Sequence, residues 1–571
     1  MAVALGDLEV LAIDCQASGA TPAYGDLLEI GWGVCGPDGL RAPVHEHFVV
    51  PRTERRIPAA VRELTGWSEA CALQAWPEQL AWSALRADIA RVAEHSPQLE
   101  RAIAVIHFAR FELPFLRDLH ARLDGDTPFP LDAICLHAIS TRLFPDLPRR
   151  NIRALAGYLG HSTDLLRRCG SHVEASAFIW RALLPRLAAA GVHTLDELSP
   201  WLAQAPPRKP PAARGRRVYP FALERRRALP DRPGVYRFLR SNGDLLYVGK
   251  AASIRKRVAS HFARGRRGMN ERALELLTQV QDIAVTETAS ILEAALLESD
   301  EIKRLDPPYN VQLRSGERQA WFAARDRDDA TSTPDAEHRI GPLPSRRALI
   351  GLHALIALGD GAVPTTGSKA CALAVPIAFL PDDELFSAGW AAFAAAHRLD
   401  RTSSATPGAP LRVERASRAL WTLRGRAEAE RVEDESAPDG WDLARVVRRL
   451  ERTLIQTGLL VRRARWLCLL AHADVVFRER AMPAARVLQL AHGELIASRD
   501  LASVDELASL PTRRPPATHD RRACFDATRY DRIRVLTTEL NRVLTDGGTV
   551  TLRLGTRSFT AARVAQLLRW V

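Results

Sequence analysis

Apolar positions change their spacing several times along this 571-residue chain. Continuous apolar runs at 8–14 (LEVLAID), 27–35 (LLEIGWGVC) and 101–108 (RAIAVIHF) predict buried strands, with HEHFVVP (45–51) as another. Helical spacing takes over in IPAAVRELTGWS (57–68) and ARFELPFLRDLHARL (109–123). Strands first, then strand–helix alternation, predict an α/β domain on a mixed sheet. In PGVYRFLRSNGDLLYVGK (233–250) two strands flank a Ser-Asn-Gly-Asp turn, a hairpin that brings Tyr236 and Tyr247 together. Ser253 then caps a helix with Ile254, Val258 and Phe262 as its core stripe and Arg257 and His261 one turn apart on an adjacent face. DIAVTE (282–287) predicts a strand and 288–305 a helix with Ile291, Ala294, Ala295 and Ile302 as its apolar face. Glu298 shares that face, where a carboxylate is costly unless paired or metal-bound, whereas Glu293 and Glu301 read as solvated.

Past residue 339 the pattern is mostly amphipathic helix with two strand pairs. WLCLLAHADVVFRE (466–479) and RVLQLAHGELIASRD (486–500) read as strands, GGTVTLRLG (547–555) as a turn and strand. His472 and His492 lack acids or cysteines at ligand spacing and read as structural. The clearest boundary is AQAPPRKPPAARGRR (203–217), an extended basic linker that cannot bury a core; the polar run 324–338 is a second candidate. The expected division is 1–200, the linker 203–217, 218–322, and an accessory region 339–571.

Charge adds a partner class. Lysine and arginine total 79 against 67 acids, a net +12 that favours a polyanion, nucleic acid before membrane. The N-terminus lacks a signal-peptide pattern, no apolar run is long enough to span a bilayer, and eight cysteines without a Cys-x-x-Cys pair fit a reducing cytoplasm.

The first segment resembles the DEDD exonucleases, with the ribonuclease H-like fold of the polymerase III proofreading subunit. The resemblance rests on Asp14 after the first strand, Glu29-Ile30-Gly31, Ile57-Pro58, Leu64-Thr65-Gly66, the run 107–112 and the helix around His172. It implies two divalent metals held by four carboxylates, with a histidine as base. The matching positions hold Asp14, Gln16 in place of a glutamate, Glu112 in place of an aspartate, His172, and Ala177 where the last carboxylate would stand. Two of four charges are missing, so a degenerate site is expected, with Glu174 as the one nearby substitute.

The middle segment resembles the GIY-YIG nuclease domain of excinuclease C, the incision protein of bacterial nucleotide-excision repair, and of its short stand-alone homologue. Gly234-Val235-Tyr236 and Tyr247-Val248-Gly249 carry the two motifs, followed by Lys250, Arg257, His261, Glu298 and Pro308-Tyr309-Asn310; His261 stands where the incision protein usually has a tyrosine. The resemblance implies phosphodiester hydrolysis with Mg2+ (or Mn2+) held by Glu298 alone, Tyr236 or Tyr247 steering or deprotonating water with help from Lys250, and Arg257 offsetting charge on the phosphate. The helix N-terminus at Ser253 would add anion donors. IGPLPSRRAL (340–349) resembles the stretch that follows this domain in the incision protein.

The expected whole is α/β multidomain: a ribonuclease H-like exonuclease fold, a small GIY-YIG α/β domain, then a mainly helical α+β C-terminal region. The expected function is a cytoplasmic DNA-repair endonuclease that nicks one strand, with DNA and other repair or replication proteins as partners and no membrane. The alternatives are a 3′–5′ exonuclease of repair or proofreading and a catalytically silent nucleic-acid-binding scaffold.

Overall fold

The computed structural model describes residues 3–53, 55–162, 167–204, 218–263, 271–311, 319–325, 327–397, 440–480, 482–502 and 525–568, with single positions among 398–439 and 503–524. Most of the basic linker therefore lies outside the described residues. The chain forms two compact units, Met1–Thr288 with Pro307–Tyr309, and Ala289–Asp306 with Asn310–Val571. The boundary at Thr288 falls inside the stretch 218–322.

In the first unit, β1 (Val10–Ala17) pairs antiparallel with β2 (Leu27–Gly36) and parallel with β5 (Ala102–Ile106). The hairpin strand β3 (Gly39–Leu40), β4 (His45–Phe48) and β6 (Leu131–Cys135) complete a six-stranded mixed sheet. Successive residues of a strand face opposite ways, and both faces of β1 are apolar. Val10 and Ala12 join a core with α3 (Cys169–Ala189), while Leu11 and Ile13 join another with α1 (Ala109–Leu123). Helices on both faces explain why this strand reads as an unbroken apolar run. Gly31 lets α3 lie directly on β2: an added Cβ would come 2.8 Å from Cys169 Cβ and 3.0 Å from its carbonyl carbon.

The same unit holds a three-stranded antiparallel sheet in the order β8-β7-β9, from β7 (Gly234–Leu239), β8 (Leu245–Ala251) and β9 (Asp282–Glu287). Its helices are α4 (Ile254–His261) and α5 (Glu271–Gln279). The exonuclease-like part packs against it directly rather than hanging from the linker alone. Asn151 Nδ2, capping α2 (Ile152–Leu159), donates to Glu275 Oε2 on α5 (2.7 Å), and Gln281 Nε2 donates to the Tyr158 carbonyl (2.6 Å). Tyr309 of the closing motif ends on the same network: its hydroxyl donates to Glu275 Oε1 (2.6 Å) and accepts from Gln279 Nε2 (2.6 Å).

The second unit begins with α6 (Ile291–Leu305), the helix that carries Glu298. It contains a small sheet of β10 (Trp321–Ala323), β11 (Ala330–Thr331) and β12 (Ile340–Leu343), so the run 324–338, expected as a boundary, contributes a strand. His338 anchors that run, within 2.9 Å of the Asp335 carboxylate and 3.2 Å of Asp329. The long helix α7 (Leu443–Leu470) takes in the residues WLCLL expected as strand; β13 (Asp474–Arg478) starts only after it. The run 486–500 is a hairpin, not one strand: β14 (Ala485–Ala491) turns at His492 and Gly493, both at positive φ, into β15 (Glu494–Leu501). After α8 (Ala527–Thr545), β16 (Thr549–Leu554) and β17 (Arg557–Phe559) complete a sheet in the order β15-β14-β13-β16-β17. His472 is buried in this unit and sits beside His492 with ring centroids 5.0 Å apart. Among the described residues no helix is long and apolar enough to cross a membrane.

Candidate active site

Hairpin register assembles the tyrosine cluster. Tyr236 faces Gly249 across the β7–β8 ladder and Phe238 faces Tyr247. Gly249 is required by this crossing, because a Cβ there would collide with the Tyr236 hydroxyl and lie 2.8 Å from Tyr247 Cε1. The ring centroids of Tyr236 and Tyr247 are 6.1 Å apart, and His261 joins them from the last turn of α4. Tyr236 is wholly enclosed, and its hydroxyl shares a 2.7 Å hydrogen bond with His261 Nε2. Tyr247 and Lys250 are half-buried and Arg257 is exposed. Ile254, Val258 and Phe262 are buried as the periodicity predicted. Gly249→Ala should force the two phenols apart at a cost of about 1–3 kcal/mol, the usual range for overpacking. Thermal melting and plasmid nicking measured together check this: both should fall, and wild-type values in both would show that the close approach is dispensable.

The α4 N-terminus does not offer the expected anion donors. Ile254 N–H and Arg255 N–H donate to the carbonyls of Arg232 (3.1 Å) and Pro230 (3.0 Å), and Lys256 N–H donates to Ser253 Oγ (3.2 Å). Asp231 accepts from the Ser253 hydroxyl and from Arg255 Nη2 (2.6 Å), with Lys256 Nζ 3.9 Å away. An acidic side chain of the protein thus occupies the favourable end of the helix dipole. Of the three consecutive cations, Arg257 alone has no acidic partner among the described residues.

Glu298 is half-buried on α6. The apolar face predicted around it is present, since Ile291, Ala294, Ala295 and Ile302 are all buried. Its neighbours are not solvated as expected. Glu301 is buried, and Glu293 accepts from Arg486 Nη2 (2.9 Å) and bonds the hydroxyls of Ser290 and Ser498. Leu292 and Leu296, one turn apart, form a second apolar stripe that the periodicity around Glu298 left out.

The exonuclease-like residues converge on a cavity of about 490 Å³ lined by Asp14, Gln16, His107, Glu112, His172 and Arg149, among others. His172 Nδ1 lies 3.0 Å from Asp14 Oδ2, and Gln16 Nε2 donates to the Arg167 carbonyl (2.5 Å). Burial, reinforced by the charge of Asp14, pushes the Glu112 carboxyl well above its ordinary range. Burial also drives His107 down to about 3, so it is neutral at physiological pH. Ala177 is packed in the apolar core and Glu174 is exposed outside the cavity lining, so neither supplies the missing charge. Among the described residues no group of three or more His, Cys, Asp or Glu side chains is placed to hold a metal ion. This donor set does not fit a two-metal centre.

Residues 232–311 match the family model of the UvrC-like GIY-YIG domain. The chain carries such a domain. Among relatives, a Mycobacterium tuberculosis protein that bears the name bifunctional exonuclease/endonuclease protein is 30% identical over 266 residues, 46% of this chain and 39% of that one. UvrABC system protein C of Alkalilimnicola ehrlichii is 50% identical over 96 residues, 17% of this chain and 15% of its own length. The chain therefore spans well under half the length of either relative. The solved GIY-YIG N-terminal endonuclease domain of UvrC from Thermotoga maritima, bound to its catalytic divalent cation magnesium, is 27% identical. That match covers 15% of this chain and 93% of that one, with a TM-score of 0.14.

Proposed function

We propose that the chain is a DNA-repair endonuclease that nicks one strand by metal-dependent phosphodiester hydrolysis in its GIY-YIG domain. The observation that carries this is the enclosed Tyr236–His261 pair beside Tyr247, built on the hairpin of a segment that matches the UvrC-like family model. Glu298 is the metal ligand in this reading; a single carboxylate suits Mg2+ or Mn2+, which keeps water and phosphate as its other ligands. The bound ion would supply charge neutralisation at the phosphoryl and leaving oxygens. Tyr247, the less buried phenol, orients the attacking water. Tyr236 or Tyr247 takes the water's proton, His261 Nε2 stands in hydrogen-bond reach to receive the Tyr236 hydroxyl's own proton, and Lys250 lowers the cost of phenolate character. Arg257 places its planar fork on the phosphate. The four-part division with a basic linker at 203–217, DNA as substrate, other repair proteins as partners and a cytoplasmic location belong to the same proposal.

Relaxation of supercoiled plasmid by the purified protein with Mg2+ or Mn2+ tests it. Shortening of 3′ ends without nicking would favour the exonuclease alternative, and binding without either would favour the scaffold. Binding itself should be steeply salt-dependent, because a net charge of +12 implies phosphate contacts that release counterions. With six or more such contacts, affinity should drop about a thousandfold or more between 50 and 200 mM salt. A flat salt titration would remove DNA from the proposal.

A further inference from the structure

Helix α6 is buried on two sides. At 3.6 residues per turn, Ile291, Ala294, Ala295, Glu298 and Ile302 fall on one side, and Leu292, Leu296, Asp300 and Lys303 on the other. The second side is embedded in the C-terminal part of its own unit. Leu292 and Leu296 share an apolar core with Leu467 of α7 and Ile533, Leu536 and Leu540 of α8. Among the described residues, three ion pairs join α6 to this part of the unit. Lys303 Nζ lies 2.7 Å from Asp531 Oδ2 with both side chains nearly sealed from solvent. Arg532 Nε donates to Asp300 Oδ1 (2.8 Å), and Arg486 Nη2 on β14 donates to Glu293 Oε1 (2.9 Å).

We propose that the C-terminal region is a clamp that fixes the axial height and rotation of α6, and so the position of Glu298. Asp300–Arg532, Lys303–Asp531 and Glu293–Arg486 are its positioning pairs. The inference rests on the nuclease reading above and gives residues 339–571 a role in it. Apolar packing is non-directional and tolerates sliding. Charged pairs at three heights, spread over ten residues or about 15 Å of helix, do not. A metal held by one protein carboxylate inherits any error in that carboxylate's position, and about 1 Å of misplacement can cost about a hundredfold in rate. The pairs stand on the side of α6 opposite Glu298, so they hold the helix without competing for its ion.

The test uses the full chain with Arg532→Gln and the swapped pair Asp300→Arg/Arg532→Asp. It reads nicking rate against Mg2+ concentration, KM for DNA, and hydrogen exchange across residues 291–305 without metal. Arg532→Gln should raise the Mg2+ needed for half-maximal rate about tenfold, the scale of one charge-assisted bond. The saturated rate should fall, KM for DNA should stay level, and exchange across 291–305 should quicken; the swapped pair should restore metal dependence, rate and exchange together. A variant with wild-type metal dependence and wild-type exchange overturns the clamp alone. Absence of nicking by the wild-type protein overturns the nuclease reading, and with it the role given to Glu298.

Discussion

Glu298→Gln should lower plasmid nicking about a thousandfold while leaving DNA affinity nearly unchanged. Glutamine keeps the length, shape and helix propensity of glutamate but loses the charge that a Mg2+ with a single protein ligand needs. Loss of one electrostatic contact to a transition state costs about a hundred- to a thousandfold elsewhere, and removing the ligand of the only ion is at least as severe. DNA affinity rests on the many cations of the chain, which the substitution leaves in place. Asp14→Asn is the matching control. Asp14 lines the exonuclease-like cavity, whose acidic and histidine side chains are not grouped to hold a metal ion among the described residues, so nicking should persist and 3′-end digestion should be negligible before and after the change. Nicking by Glu298→Gln at the wild-type rate would move the scaffold alternative to first place. Robust 3′ digestion abolished by Asp14→Asn would instead make the N-terminal domain the engine.

The parts of this fold that were legible in the sequence are those set by local chemistry. Ser253 caps α4 because its hydroxyl accepts from the Lys256 N–H, an interaction spanning three residues. The β7–β8 hairpin follows from its turn residues, and Ile254, Val258 and Phe262 from helical period. Failures occurred where a partner distant in sequence decides. WLCLL is an apolar run too short to separate strand from buried helix by period, and continuity with α7 settles it. The second stripe of α6, Leu292 with Leu296, was visible as i, i+4 spacing. Its meaning depends on Asp531 and Arg532, more than two hundred residues later. The anion expectation at Ser253 failed for a related reason: Asp231, outside the helix, reaches the cap first. At the exonuclease-like site the sequence named Asp14, Gln16, Glu112 and His172, which line the cavity, but not His137, Arg149, Arg150 or Glu271, which line it too. It did not show that Ala177 would be sealed into the core rather than facing that cavity.

Arg168→Ala should destabilise the N-terminal domain by an amount that grows with pH. Glu29, the glutamate of the Glu-Ile-Gly motif, is fully buried on β2 and paired with Arg168, which also bonds Glu46 Oε1 (2.8 Å) and lies over the Phe48 ring at 3.9 Å. Burial raises the Glu29 carboxyl to about 7, even with Arg168 pulling it down. A carboxyl raised in the folded state favours folding in acid. That contribution is complete below the unfolded pKa of about 4.3 and is lost as pH rises through the folded value. Removing Arg168 takes away the main influence holding the value down, so the folded pKa climbs further and the loss continues to higher pH. Between about pH 7 and the new folded pKa, the deficit relative to wild type should widen by up to about 1.4 kcal/mol per pH unit. Near pH 5, where Glu29 is protonated in both folded proteins, the lost Phe48 and Glu46 contacts and the lost bond to the neutral Glu29 carboxyl remain, about 1–2 kcal/mol. At pH 8.5 the total should reach about 2–4 kcal/mol, below the full cost of breaking a buried pair because Arg168 itself is partly solvated. Urea melts of wild type and variant at pH 5, 7 and 8.5 check the slope. A deficit that stays constant across that range would show that Glu29 remains ionised throughout, and that Arg168 acts on this domain only through packing.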